Sequence, residues 1–395
     1  MDRFSESDMP TLQPRLRGAP PPVAMESLVT LDLADGLTVL VNDPQRHTDS
    51  VRVLSALLGR VDPAKVRILV ATGTHSFPPA QQRRHEEYLS RGLGPVDIRW
   101  HDCRSESLVP IGRGSGAWRG HPWLLGNRPL LAIGSVEPHY FAGYTGAHKT
   151  LTIGCASFAD IEADHAHALD PASRPCALDG NPVFAGHRRM VQSLQRERGG
   201  SIAAVNVVQV GGSIVAAGGG GPTEALDNVR AAAAATFVHH VRHPADALVL
   251  ELSGPLAQSF YQADKAIKNN EWAVRNDGAI VLKAPCPDGV GQDHFMDLLR
   301  RGASLQACLD IMADRGYRLG DHKAVRLRAL TDPDSRAVRV FAVSDGLSPA
   351  DADVLGLTKA PSVSEALGMA GIAVGKDRVY RLLDAGNLCV LVNED

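Results

Sequence analysis

Short apolar runs, each closing on a glycine, a threonine or an acid and each followed by a helix-like stretch, constrain this chain most. Val66–Ala71 (VRILVA), Leu130–Ile133 (LLAI), Ala247–Glu251 (ALVLE), Ala279–Ala284 (AIVLKA) and Ala337–Ser344 (AVRVFAVS) are such runs. They are continuously apolar, as strands of parallel sheets are when both faces are covered. Between them, Ser50–Leu58, Pro78–Arg91, Phe158–Leu169, Tyr261–Val274 and His294–Arg301 read as helices, and Gly218–Gly221 opens a long Ala-rich helix through Val241. Strands alternating with helices imply an α/β fold.

Two Gly-containing turns mark hairpins, which add antiparallel strands and make the sheets mixed. Asp35-Gly36 separates Leu28–Leu33 from Leu37–Val41, and Gly211-Gly212 separates Ala203–Val210 from Ser213–Ala217. Ile98–His101, Ile372–Ala373 and Leu388–Leu391 read as further strands, and Arg378–Leu383 as a helix. The expectation is two α/β domains with mixed sheets and an active site in the cleft between them. Residues 1–24 form a Pro-rich N-terminal arm. Residues 25–243 form a cofactor-binding domain and residues 244–395 a second α/β domain, whose last helix and strand have the option of packing back on the first.

Composition excludes several classes. A formal net charge of −3 leaves no basic footprint for nucleic acid. The apolar runs fall far short of the ~20 residues of a membrane span, and the start has no apolar signal region. Six cysteines without CxxC spacing predict a cytoplasmic protein with reduced thiols. No HExxH or Cys2His2 spacing exists, which argues against a structural zinc. The chain is nonetheless rich in glycine (38) and histidine (15), a combination that suggests a ligand site.

Several segments carry the chemistry. Ala-Thr-Gly-Thr-His at 71–75 ends a strand, where backbone N–H groups and the hydroxyls of Thr72 and Thr74 suit a phosphate around Gly73, with His75 at the same rim. Neither GxGxxG nor GxxxxGK[ST] is present, and no GxSxG elbow appears. The densest segment is EPHYFAGYTGAHKT at 137–150. Its Gly143 and Gly146 allow a ligand to approach the backbone. His139 is suited to proton transfer near neutral pH, and Lys149 either to binding phosphate or to covalent chemistry. Asp43 and Arg46 follow another strand exit, and Arg46 is a natural carboxylate partner. Tyr261, Gln262 and Lys265 open a helix, with Gln262 and Lys265 on one face. His165 and His167 are two apart and do not share a helix face, so they do not bind one metal together.

The loop EPHYFAGYTGAHKT closely resembles the EPHFFAGFSGGRKS-type segment of the LarA family, the nickel-pincer-nucleotide lactate racemases and their homologues. The Asp43…Arg46 exit, the ATGTH loop, His165 sixteen residues after Lys149, Asn181-Pro182 and Tyr261-Gln262…Lys265 agree in order and spacing, with a weaker echo at Gly320-Asp321-His322-Lys323-Ala324. The resemblance implies a racemase or epimerase of a 2-hydroxy acid, lactate-like and short-chain, working by reversible hydride transfer from C2. The alternatives are a relative that keeps the nucleotide and nickel without racemising, or a racemase of a larger 2-hydroxy acid.

The cofactor implied is the nickel-pincer nucleotide, a pyridinium-3-thioamide-5-thiocarboxylic acid mononucleotide bound covalently to Lys149, with His165 as the protein's ligand to nickel. That cofactor brings most of its own ligands, so a single protein histidine suffices. His75 and His139 are then the acid/base pair, and Arg46, Tyr261, Gln262 and Lys265 bind substrate with Asp43 beside them. Thr72, Gly73, Thr74, Gly143 and Gly146 line the cofactor. The partners implied are the small substrate and the cofactor-synthesis enzymes; an oligomer is open, and neither nucleic acid nor membrane is expected. Two positions depart from the family pattern. Asp-x-Thr-Arg-Pro reads Asp43-Pro44-Gln45-Arg46-His47 here, and Gly-Gly-Arg-Lys reads Gly146-Ala147-His148-Lys149, which weakens or relocates a phosphate contact.

Overall fold

The computed structural model describes residues 6–16, 24–46, 48–56, 60–91, 93–94 and 96–393. Among them lie two six-stranded sheets. The first runs, edge to edge, Ser213–Gly220, Ile202–Val210, Leu130–Ser135, Leu37–Asn42, Val66–Ala71 and Asp97–Trp100. Its pairings are parallel except the Gly211-Gly212 hairpin at one edge. The second runs Thr11–Leu12, Val379–Leu383, Ala245–Glu251, Val274–Lys283, Arg339–Val343 and Leu357–Lys359, parallel throughout.

The apolar runs are continuous because both sheet faces are covered. Val39, Val41, Ile68 and Val70 enter one core, while their neighbours Leu40, Leu69 and Ala71 enter another on the opposite face. The second sheet alternates likewise, with Ala247 and Val249 on one side and Leu248 and Leu250 on the other. That last core also takes in Val136, Tyr144, Phe184 and Leu226 from the first half, so the two halves share buried apolar surface. The described part of the N-terminal arm bridges the halves: Thr11–Leu12 pairs with Arg381 and Leu382, Met9 is buried, and the Arg15 amide donates to the Thr236 carbonyl at 2.8 Å.

Several local expectations change. Asp35-Gly36 is a turn, but residues 29–33 form no strand, and Leu37–Asn42 is a central strand with parallel neighbours on both sides. Gly36 has φ +91°, and a Cβ there would sit 2.5 Å from the Lys65 carbonyl oxygen, so the glycine serves a close crossing rather than a hairpin. The segment read as a helix at Arg378–Leu383 is the strand Val379–Leu383; in so short an apolar run periodicity does not distinguish the two. Ile372–Ala373 is not a strand. The Ala-rich helix spans Glu224–Phe237, and Val238–Val241 leaves it to pair with Cys389–Val392. The helices Leu305–Arg315, Asp321–Thr331, Pro349–Leu355 and Val363–Met369 had no counterpart in the sequence reading.

Candidate functional site

Parallel strands bring their carboxyl ends together, and ligands gather at that edge. Three exits of the first sheet meet there. After Leu37–Asn42, Asp43 Oδ1 accepts from the Gln45 amide at 2.9 Å, a turn that carries Arg46 back over the edge. After Val66–Ala71, Thr72 donates to the His101 carbonyl at 2.7 Å and the Gly73 amide to the Gly154 carbonyl at 3.0 Å. After Leu130–Ser135, the Glu137 amide donates to Thr145 Oγ1 at 2.9 Å, folding residues 137–145 back on themselves. The short helix Ala147–Leu151 follows, and it packs so tightly that a Cβ on Gly134 would collide with the Ala147 amide nitrogen. Buried Asn206 accepts from that amide at 2.8 Å and holds the turn of chain that carries Lys149.

These elements enclose one cavity. Asp43, Arg46, Thr72, Gly73, Thr74, His75, Glu137, His139, Gly146, Lys149 and His165 all line it. An adjoining space is lined by Gln45, Arg46 and Glu137 from the first half and by Ser253, Pro255 and Asp384 from the second. Lys265 does not line the first cavity but reaches its rim, with Nζ 3.8 Å from Glu137 Oε1; Arg46 approaches the same oxygen at 3.7 Å. Gln262 faces Gln45, donating from Nε2 to Oε1 at 2.8 Å. Tyr261 stands further off, its carbonyl accepting from Lys323 Nζ at 2.9 Å and its ring 4.3 Å from the same ammonium. Gly143 does not line the cavity either. Its φ of +75° and the crowding of a Cβ against the Ala177 carbonyl show a close approach to protein backbone, not to a ligand.

The two histidines of the cavity are held differently. His75 Nδ1 is 2.8 Å from Asp43 Oδ2, so the carboxylate holds the proton on Nδ1 and leaves Nε2 free. His139 Nδ1 accepts from the Ala142 amide at 3.3 Å, and its ring stacks on Tyr140 and meets the edge of Phe141. Burial, reinforced by Lys149, Lys265 and Arg46, holds His139 well below the ordinary histidine range, so the ring is neutral at pH 7. Burial, together with Arg46 and Lys265 and against the opposing pull of Asp164 and Glu137, lowers Lys149 to about 7. Lys265 falls to about 8, chiefly by burial, partly offset by Glu137. Its Nζ is buried without a hydrogen-bond partner among the described residues.

His165 lies in the last turn of the helix Phe158–Ala166, with Nδ1 3.2 Å from Asp164 Oδ2; the other oxygen of that carboxylate is 3.2 Å from His187 Nε2. Burial alone would raise the Asp164 carboxyl, but His187 and His165 beside it hold it well below the carboxylate range. His148, which stands where the family pattern has an arginine, is fully buried beside Phe184 and His187 and is not among the lining residues. His322 stands 5.7 Å from the His165 ring, between the hydroxyls of Tyr140 at 3.1 Å and Tyr317 at 2.7 Å. The sequence reading gave no role to Glu137, Gln45, Asp164 or His187. Only Asp164, directly before His165, offered a local signal; the others depend on contacts between distant segments.

Among the described residues no group of three or more His, Cys, Asp or Glu side chains could hold a metal ion. A metal here would need ligands from elsewhere, and the donor set fits a cofactor that supplies them. Lys149 is an amine far more easily uncharged than an ordinary lysine, His165 is a cavity-facing imidazole, and Gly73 and Gly146 present bare backbone.

The sequence matches the Lactate racemase N-terminal domain over residues 21–175 and the Lactate racemase C-terminal domain over residues 241–392. A lactate racemase of Thermoanaerobacterium thermosaccharolyticum is 27% identical over 390 residues, covering 92% of this chain and 86% of its own. A lactate racemase of Lactiplantibacillus plantarum is 28% identical over 272 residues, covering 66% of this chain and 62% of its own. In fold, the lactate racemase apoprotein from T. thermosaccharolyticum superposes with a TM-score of 0.81 at 22% identity, covering 98% of this chain and 96% of that one. A Thermotoga maritima protein superposes with a TM-score of 0.73 at 15% identity, covering 93% and 96%.

Proposed function

The chain belongs to the lactate racemase (LarA) family, and from that premise we propose that it is a racemase or epimerase of a 2-hydroxy acid dependent on the nickel-pincer nucleotide. A short aliphatic acid such as lactate is the substrate we assign. Residues 25–243 form the cofactor-binding domain in this reading and residues 244–395 the second, with the substrate between them. The protein is cytoplasmic and receives its cofactor from dedicated synthesis enzymes. The observation that carries the reading is the convergence of His75, His139, Lys149, His165 and Arg46 on one cavity.

Lys149 would attach the cofactor and His165 would ligate its nickel; a borderline metal such as nickel accepts imidazole beside sulfur. Thr72, Gly73, Thr74 and Gly146 line the same cavity and would offer backbone and hydroxyl contacts to the cofactor. Such a cofactor would supply a hydride acceptor for the C2 hydrogen, chemistry far easier than removing a C2 proton. The chain's own residues do the rest. Arg46 and Lys265 bind the substrate carboxylate, for which they are suited because Glu137 touches neither within hydrogen-bonding distance. Gln262, oriented by Gln45, contacts the hydroxyl side. One histidine accepts the hydroxyl proton as the 2-keto acid forms, and returning hydride to the other face requires a second acid on that side. His75, oriented by Asp43, and His139, kept neutral by burial, are the two groups.

The test is a screen of lactate and longer 2-hydroxy acids by chiral chromatography, with intact mass measured on the same protein matured with the cofactor-making enzymes. The expected result is an adduct on Lys149 and interconversion of enantiomers. A loaded protein that scrambles none of the acids would overturn the reading.

A further inference from the structure

His165 sits against a buried carboxylate in close ion-pair contact, although its Nδ1 has no aligned hydrogen-bond partner among the described residues. Asp164 precedes His165 on the same helix, yet its carboxylate bends back so that Oδ2 lies 3.2 Å from His165 Nδ1. Its Oδ1 lies 3.2 Å from Nε2 of His187, on the helix Pro182–Glu197. The Asp164 side chain is 6% exposed and that of His187 not at all, so this carboxylate is removed from competing water. Behind them His148 packs against His187, ring centroids 5.7 Å apart, filling the space under the helix that carries Lys149.

We infer that Asp164 is a positioning residue for His165, a carboxylate clamp braced from behind by His187 that holds the His165 proton on Nδ1 and turns Nε2 toward the cavity. The inference rests on the reading of His165 as the protein's ligand to nickel. A ring nitrogen presents its lone pair to a metal only when the other carries the proton, and a carboxylate on that other nitrogen fixes both the tautomer and the ring plane. His187 gives the carboxylate a second imidazole, so that it cannot swing away from His165. His148 acts only by packing.

Two measurements test this. The first needs no cofactor: the purified protein, labelled with ¹⁵N-histidine, reports the tautomer of His165. The expected wild-type state is protonated on Nδ1, and Asp164→Ala should move the proton to Nε2. A wild-type His165 protonated on Nε2, or a tautomer unchanged in the variant, overturns the inference. The second uses holoenzyme matured with the cofactor-making enzymes, with nickel per chain measured during chelator challenge. Asp164→Ala should hold nickel about 10- to 100-fold less tightly, the range typical for lost outer partners of a metal ligand, while the mass adduct on Lys149 persists. Asp164→Asn keeps one acceptor oxygen in the same volume; it should fold as the wild type does and fall between the two. Nickel retention in Asp164→Asn and Asp164→Ala equal to wild type overturns the inference. A wild-type holoenzyme that carries the adduct but no nickel overturns the reading beneath it as well, whereas the tautomer measurement fails for the clamp alone.

Discussion

Lys149 offers the sharpest chemical prediction. An ordinary lysine titrates near 10.5, and burial together with Arg46 and Lys265 brings this one to about 7. At pH 7 about half of its amine is then uncharged, against roughly one part in 3,000 for an ordinary lysine, a gain of about 1,600-fold. A weaker base is a poorer nucleophile. If the Brønsted slope of ~0.4–0.5 known for thiols is applied to the amine, the loss is roughly 25- to 60-fold, and the net advantage at pH 7 is about 30- to 60-fold. The assay is competitive acylation of cofactor-free protein with trace acetic anhydride across pH 5–11, read peptide by peptide by mass spectrometry. Lys149 should label along a curve with its midpoint near 7, while exposed lysines follow a midpoint near 10. Arg46→Met removes a neighbouring positive charge, so the protonated form costs less and the midpoint must rise. A wild-type midpoint near 10, or one that falls in Arg46→Met, would refute the electrostatic reasoning.

Other outcomes follow from single contacts. Asp43→Asn takes the carboxylate from His75 Nδ1 and should lower turnover by about 10²- to 10⁴-fold, with the mass adduct on Lys149 intact; unchanged turnover would remove His75 from proton transfer. Gly134→Ala pushes a Cβ into the Ala147 amide. It should cost about 1–3 kcal/mol in urea unfolding and shift the Lys149 labelling curve, because the helix must move; a variant with wild-type stability and labelling would contradict the packing described. Lys268 is fully buried between Asp264 at 3.9 Å and Glu271 at 3.7 Å. Lys268→Met leaves those carboxylates short of a cation and should cost about 3–5 kcal/mol, seen as a lower urea midpoint; an unchanged midpoint would show that Lys323 and Arg326 suffice.

How far the site could be read from sequence follows from where its parts lie. The loops 72–75 and 137–149 sit at ends of strands whose continuous apolar runs are plain in the sequence, and parallel pairing alone brings such ends together. Short-range chemistry was therefore legible. Pairings between segments were not: Asp43 with His75 spans 32 residues, and Gln45 with Gln262 spans 217. Glu137 was visible as an acid, but its place between Arg46 and Lys265 depends on how the two halves meet. The burial of His148 likewise depends on packing between segments. Its neighbour Lys149 faces the cavity, and one step along a helix turns the side chain inward, where His187 and Phe184 wait. In the fold, Val379–Leu383 was read as a helix because its apolar residues suit either period; pairing with Thr11–Leu12 and Ala245–Glu251 decides it. Gly143 shows that a glycine in a chemically rich loop can serve the loop's own packing.

If the proposed function holds, this chain inverts a 2-hydroxy acid by reversible removal of the C2 hydrogen as hydride, with His75 and His139 exchanging the hydroxyl proton on either side. The most direct measurement incubates the cofactor-loaded protein with one lactate enantiomer in D₂O and reads both chirality and deuterium at C2. The account predicts that the opposite enantiomer accumulates to an equal mixture with protium retained at C2. Deuterium entering C2 in step with inversion would mean that a proton, not a hydride, leaves that carbon, and would contradict the account.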